Sequence, residues 1–236
     1  MQFRSDASAH IENQRRLDIL KRWLPNGASL LDAGCSYGDF LGVAKNTYAV
    51  SGVDISPGAI ERSAQRFPEL SDRLKVLRLE DLGSSFRDLD AVCCWDVIEH
   101  LPNPAAVLGG LLDCLKPGGL LFLSTPDVSS LTAKITGKHW AFMIPPYHLG
   151  YFSPQSFQYA FKHLHAATIQ YSQTRGKSVV ISFILYKLAQ INSSLVPAWI
   201  LNWSARSWLG RVRLYVPSND ILYIVVRKND TSTTVG

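Results

Sequence analysis

Leu31-Asp32-Ala33-Gly34-Cys35-Ser36-Tyr37-Gly38 is the stretch from which the rest of the chain is read. Ser29 to Asp32 is a short strand, and Phe40 to Asn46 reads as a helix, so these eight residues form a Gly-rich strand-to-helix turn. Glycine at such a turn lets the backbone reverse sharply and lets a ligand approach the chain. The next strand, Tyr48 to Asp54, ends on an acid 20 positions after Gly34. An acid at that distance accepts hydrogen bonds from both hydroxyls of a ribose diol. Two cofactor classes compete for this pattern. A dinucleotide fingerprint is Gly-x-Gly-x-x-Gly, whereas here it is Gly34-x-Ser36-x-Gly38. The last glycine comes too early, and Asp32 would bring negative charge close to phosphates. A sulfonium cofactor with an ammonium group gains from carboxylates at the same place, because opposite charges attract strongly in a partly desolvated site.

Outward from the turn, strands and helices alternate. Ile11 to Trp23 has helical spacing (Ile11, Leu17, Leu20, Leu24) and stops at Pro25-Asn26-Gly27. Pro57 opens a helix at a position that tolerates proline. Leu74 to Leu79 is a third strand. Leu89 to Trp95 is a fourth, and its near-continuous apolar character suits a strand buried on both faces of a parallel sheet. Pro104 to Leu115 is a helix broken by Lys116-Pro117-Gly118-Gly119, and Leu120 to Ser124 is a fifth strand. This order implies an α/β doubly wound parallel sheet. From Asp127 to Phe152 the pattern loosens into an aromatic loop region, of a length that is usually functional. A helix follows from Ser153-Pro154 to about His163. Ala167 to Gln173 and Ile221 to Val226 read as the last strands, with helices at Ser178 to Ile191 and Ala198 to Leu209 between them.

Bulk composition narrows the classes. The chain has 236 residues, 47% hydrophobic and 18% charged, which fits one packed α/β domain and excludes general disorder. Net charge is +5, but no segment clusters five Lys/Arg with aromatics, so a nucleic-acid partner is not expected. Cys35, Cys93, Cys94 and Cys114 show neither a Cys-x-x-Cys pair nor zinc spacing, and the pair at 93–94 lies in an apolar run as buried thiols. The N-terminus lacks the apolar stretch of a signal peptide, and the window from Val179 to Leu201 is interrupted by polar residues and Pro197. A cytoplasmic setting is expected.

Four segments together carry a resemblance. Leu31 to Gly38, Gly52-Val53-Asp54-Ile55-Ser56, Trp95-Asp96-Val97-Ile98-Glu99-His100-Leu101 and Leu115-Lys116-Pro117-Gly118-Gly119 resemble class I S-adenosylmethionine-dependent methyltransferases. The Glu-His and Lys-Pro-Gly-Gly segments are most similar to the quinone-biosynthesis O-methyltransferases. The resemblance implies a Rossmann-like, mostly parallel seven-stranded sheet with a C-terminal antiparallel strand and an inserted helical and loop cap. It implies one domain over 1–236: a cofactor core at about 25–126, an acceptor loop and cap at about 127–213, and a final strand at 220–228. Carried over, Gly34 and Gly38 line the methionine part of S-adenosylmethionine, with Asp32 and Cys35 in the same turn. Asp54 holds the ribose, with Ile55 beside it. Asp81 matches the position that contacts the adenine amino group, with Leu82 next to it, and Asp96 lies near the methionine end. Ser36 departs from the family, which has glycine there; serine is small enough for the turn.

A hydroxyl acceptor needs alignment and gains from a general base. His148, in Pro145-Pro146-Tyr147-His148-Leu149-Gly150-Tyr151-Phe152, is one candidate. Trp140, Phe142, Tyr147, Tyr151 and Phe152 would form an apolar acceptor pocket around it. The competing role for His148 is to brace the loop. His100 is the other candidate. Asp96, Glu99 and His100 stand at i, i+3 and i+4, and the resemblance implies that such a set binds Mg. The alternative is that Glu99 and His100 pair and fix the turn before Pro102. The tryptophans of 198–209 with Arg211 and Arg213 match an interfacial composition for peripheral membrane contact. A helical cap with its tryptophans turned inward is the reading the sequence favours. The expected activity is methyl transfer to the hydroxyl of a small molecule such as a phenol, quinol or sugar; the alternative is a non-catalytic S-adenosylmethionine-binding partner or regulatory protein. The oligomeric state is not legible.

Overall fold

A computed structural model describes residues 6–164, 167–191, 194 and 196–230. Seven strands form one sheet: β1 (Ser29–Ala33), β2 (Ala49–Asp54), β3 (Leu74–Val76), β4 (Leu89–Trp95), β5 (Leu115–Pro126), β6 (Ala167–Val180) and β7 (Arg213–Lys228), in the order β3-β2-β1-β4-β5-β7-β6. The first five run parallel, and β7 lies antiparallel to both β5 and β6. The doubly wound sheet and its antiparallel C-terminal strand are therefore as the sequence implied.

Alternation along the central strands divides the core. Ala91, Cys93, Trp95, Leu120 and Phe122 face one side, where helices α1 (Asp6–Leu20), α2 (Asp39–Ala44) and α3 (Pro57–Arg66) pack. Val92, Cys94, Leu121 and Leu123 face the other side, against α4 (Pro104–Asp113) and α6 (Pro154–Leu164). Successive residues of a strand point to opposite faces, so a strand covered on both sides is apolar throughout. All four cysteines are buried free thiols, and burial raises each of them above the ordinary thiol range.

Several boundaries differ from the sequence reading. α1 begins at Asp6 and ends at Leu20, followed by a turn through Trp23. β3 stops at Val76, and Leu79–Ser84 is a 3-10 turn. The region after Pro126 is not wholly loop: Ser130 caps a short helix α5 (Leu131–Thr136), its Oγ accepting from Ala133 N at 3.1 Å. The largest change is in β6 and β7. Ser178–Val180, which the sequence reading places at the start of a helix, instead pairs with Arg213–Tyr215, 33 to 37 positions away. Val179 and Val180 suit a strand, and only the distant partner makes that preference decisive. Between the two paired stretches the register steps from Arg175↔Ile221 to Lys177↔Val216, so the extra β7 residues around Pro217 and Asn219 (φ 48°) bulge out. A bulge is where a strand tolerates proline.

β5 pairs with β7 only over Ile221–Arg227, so the outer half of the β6–β7 pair is a two-stranded ribbon. Helices α7 (Ile181–Ile191) and α8 (Ala198–Arg206) stand at its tip. Trp199, Trp203 and Trp208 are exposed there, which corrects the expectation that they turn inward. No helix among the described residues is long and apolar enough to cross a membrane.

Candidate cofactor and acceptor site

The turn after β1 has the strained geometry that its glycines allow. Gly34 and Gly38 have φ of 87° and 75°. A Cβ on Gly34 would come within 2.6 Å of Val97 Cγ2, and one on Gly38 within 2.3 Å of Ser63 Oγ. Glycine is required at both positions by conformation and by space. Ser36, the departure from the family pattern, also sits at positive φ, 49°. Its amide is secured: Ser36 N donates to Asp54 Oδ2 at 2.9 Å, while Ser56 N donates to Asp54 Oδ1 at 2.9 Å. Asp54 thus clamps the β1 turn to the end of β2. Each carboxylate oxygen keeps a second lone pair for a ligand hydroxyl.

This turn opens into a cleft of about 1100 Å³ at the C-terminal ends of β1, β2 and β4. A cleft at the point where strand order reverses is where open α/β sheets bind ligands. Asp32, Gly34, Cys35, Asp54 and Ile55 line it, and so does Asp96. Gly38 lies just behind, starting α2. The far wall differs from expectation. Leu79 and Glu80 line the cleft, whereas Asp81 is exposed outside it and Leu82 is wholly buried in the core. The 3-10 turn that ends β3 early shifts the lining by two residues.

α1 supplies a part of the site that the sequence reading missed. Asn13 and Arg16 line the cleft. Arg16 Nη1 donates to Asn13 Oδ1 at 3.1 Å and Nη2 to Asp96 Oδ2 at 2.6 Å, and the guanidinium lies 5.3 Å over the Trp95 ring. Asp96 Oδ1 accepts from Ser124 Oγ at 2.8 Å. The available signal was spacing: Asn13 and Arg16 fall on the same helical face as Leu17 and Leu20, so polar groups were headed for the interior. Asp32 is 3% exposed, and no hydrogen bond reaches its carboxylate among the described residues. Burial pushes its pKa up to about 7, against the pull of Arg16, with Asp54 pushing in the same direction as burial.

The two histidines meet. His100 lines the cleft; His148 is 7% exposed and stands behind it, ring centroids 4.8 Å apart and edge to face. The loop holding His148 is tied to this turn, since Leu149 N and Gly150 N donate to Glu99 O at 2.8 and 3.0 Å. His100 Nδ1 bonds Tyr147 O at 2.7 Å. A carbonyl can only accept, so Nδ1 carries the proton and Nε2 is the basic nitrogen of the neutral ring. Burial and the neighbouring His100 lower the pKa of His148. The expected aromatic pocket does not form on this cleft. Trp140, Phe142 and Tyr151 pack around His148 instead, and Tyr147 is exposed.

The Mg set implied by the resemblance does not fit. Asp96 is turned to Arg16 and Ser124, and Glu99 Oε2 accepts from Thr125 Oγ1 at 2.9 Å. Glu99 and His100 do not pair with each other either, since each bonds elsewhere. The donors that do converge are Glu99, His100 and His148, with ligand atoms within 4.8 Å of one another. Two imidazoles and one carboxylate are a poor match for a cation that prefers six oxygens.

The seven-stranded sheet with β7 antiparallel between β5 and β6, and a glycine turn facing a strand-end acid, define the class of S-adenosylmethionine-dependent methyltransferases of Rossmann-like fold. A methyltransferase from Archaeoglobus fulgidus, described as SAM dependent, superposes with a TM-score of 0.62 at 23% identity, covering 94% of this chain and 95% of that one. The magnesium protoporphyrin IX methyltransferase of Synechocystis PCC 6803, solved with bound SAH, gives 0.60 at 15% identity, covering 94% and 84%. At these identities the likeness is one of fold. The family described as "Methyltransferase domain" matches residues 8–170, and the chain belongs to it. Ubiquinone biosynthesis O-methyltransferases of Xylella fastidiosa (strain 9a5c) and Xanthomonas axonopodis pv. citri (strain 306) are 33% and 34% identical over 121 residues, 49% of this chain in both cases and 49% and 51% of theirs. The chain therefore spans about half the length of these relatives.

Proposed function

We propose that this protein transfers the methyl group of S-adenosylmethionine to a hydroxyl oxygen of a small acceptor. The observation that carries the cofactor assignment is Asp32. A carboxylate buried in a cleft wall without a hydrogen-bond donor, with only the through-space charge of Arg16 to offset its burial, gains from a further cation brought to it. An ammonium beside a sulfonium supplies that cation. Asp54 would take the ribose hydroxyls, and Leu79 and Glu80, on the far wall of the cleft, would flank the adenine. Asp81, exposed and outside the cleft lining, is not part of this proposed site.

When bound, the cofactor supplies an electrophilic methyl. The chain aligns the acceptor and takes its proton: His100 Nε2 accepts the hydroxyl hydrogen as the oxygen becomes the nucleophile. His148, behind His100, is a positioning residue rather than the base. An oxygen acceptor is supported by the name of the relatives matched over half the chain, and by a histidine at the cleft wall with a free basic nitrogen. Calorimetry with S-adenosylmethionine, followed by detection of S-adenosylhomocysteine on presenting phenols, quinols and sugars, tests both steps. Binding without turnover on any hydroxylated acceptor would favour the non-catalytic binding protein.

Two outcomes follow for the cofactor. Asp54→Ala removes an acceptor of two charge-assisted hydrogen bonds, each worth about 1.5–3 kcal/mol. S-adenosylmethionine affinity is expected to fall by roughly 10²-fold or more, measured by calorimetry; an unchanged Kd would remove Asp54 from the site. The second concerns pH. The native pKa of Asp32 lies above its unfolded value, so its ionisation costs stability progressively as pH rises from about 4 through about 7. A bound cation favours the ionised form. Affinity is therefore expected to rise between about pH 6 and about pH 8 with release of a proton, read as a dependence of binding enthalpy on buffer ionisation enthalpy. Asp32→Asn should abolish that dependence.

A further inference from the structure

The charge of this chain is unevenly placed. Residues 128–219 contain nine Lys and Arg and not one Asp or Glu, while the other 144 residues carry 15 basic and 19 acidic side chains. The acids that border the segment, Asp127 and Asp220, are 3% and 1% exposed, so they do not offset it at the surface. Within this segment α5, α7 and α8 form the distal cap, α7 packing against α8 and against the 3-10 turn that follows α5.

The apolar residues of the cap face outward. On α8, Trp199, Trp203 and Arg206 stand at i, i+4 and i+7 and share one face. Trp199 is 70% exposed, Trp203 50% and Trp208 73%. On α5, Leu131 and Ile135 are 70% and 74% exposed, with Lys134 and Lys138 exposed beside them. Arg206 and Arg211 are exposed next to the tryptophans. Large apolar side chains grouped at a surface mark an interaction site.

We propose that this cap is a docking face for an anionic lipid bilayer. Tryptophan prefers the headgroup level, where one part of the ring is apolar and the other wet. Exposed Lys and Arg around it are drawn to anionic headgroups. A second copy of the same face would set basic against basic, which opposes association. The bilayer supplies both the apolar layer and the missing negative charge. Docking here is peripheral, since no described helix can span.

Flotation of the full-length protein with vesicles tests this. The protein is expected to float with phosphatidylcholine vesicles that contain phosphatidylglycerol, and to remain below with phosphatidylcholine alone. Raising salt should release it, because surface electrostatics is screened. Arg206→Glu with Arg211→Glu should lower the partition coefficient by roughly tenfold or more. Trp199→Ala, Trp203→Ala and Trp208→Ala together should abolish flotation. Wild-type tryptophan emission should shift to the blue on binding, and the triple variant should show no shift, because its three remaining tryptophans lie off the cap, Trp95 and Trp140 buried and Trp23 partly buried against Tyr171, and change little. These substitutions lie on the surface, so unchanged circular dichroism and melting confirm that folding is not at issue. Three results overturn the proposal: no flotation of folded protein with anionic vesicles, flotation insensitive to both sets of substitutions, or self-association in lipid-free solution that the tryptophan variant abolishes. The last would assign the face to a second copy of this chain.

Discussion

His100→Ala is expected to lower kcat for methyl transfer by roughly 10²–10⁴-fold while leaving S-adenosylmethionine affinity nearly unchanged. The size is that of a lost general base. The side chain touches the cleft but comes from the turn after β4, whereas Asp54 ends β2. Its Nδ1 is committed to Tyr147 O at 2.7 Å, so the ring's orientation and tautomer are fixed before any acceptor arrives. His148→Phe is the informative control. It keeps an aromatic ring against His100 and Phe142, and the rate should be largely retained. If His148→Phe carries the whole loss and His100→Ala none, the base is His148 and the two roles are exchanged.

Arg16→Met is expected to destabilise the protein by about 2–3 kcal/mol, less than for a fully buried ion pair because the Asp96 side chain keeps 22% of its surface exposed. Arg16 is 7% exposed and answers Asp96 directly, and it lowers the pKa of Asp32 through space. Methionine fills similar volume over Trp95, so the loss is mainly one of charge. Without Arg16 the pKa of Asp32 rises further above its unfolded value, so the ionised carboxylate costs more and the deficit grows as pH rises through about 7. Urea midpoints measured below and above neutrality read this directly. Equal deficits at both would show that lost packing of α1, rather than charge, sets the effect.

Much of the cofactor half was legible because it is local. The turn from Gly34 to Gly38 and the acid at Asp54 are set by conformational demands that act within a few residues, and the strands around them are apolar on both faces. The acceptor half was not. His100 and His148 are 48 positions apart, and which of them meets the cleft depends on how the loop from 127 to 152 is laid across the turn at Glu99. Likewise, Asp96 had the right spacing for a metal set with Glu99 and His100, but its two oxygens went to Arg16 on α1 and Ser124 on β5. Spacing along a turn cannot anticipate a partner 80 residues away.

Sequence alone determined the sheet's parallel core, the glycine turn and the strand-end acid, since periodicity and backbone preference fix these before long-range contacts form. Tertiary structure alone decided the length of the β6–β7 ribbon, the outward face of Trp199 and Trp203, and the place of Arg16 in the cleft wall. Each of those depends on a distant surface being present or missing. A strand extends only where a partner lies alongside, a tryptophan is buried only where something covers it, and a charge enters the interior only where an opposite charge is waiting.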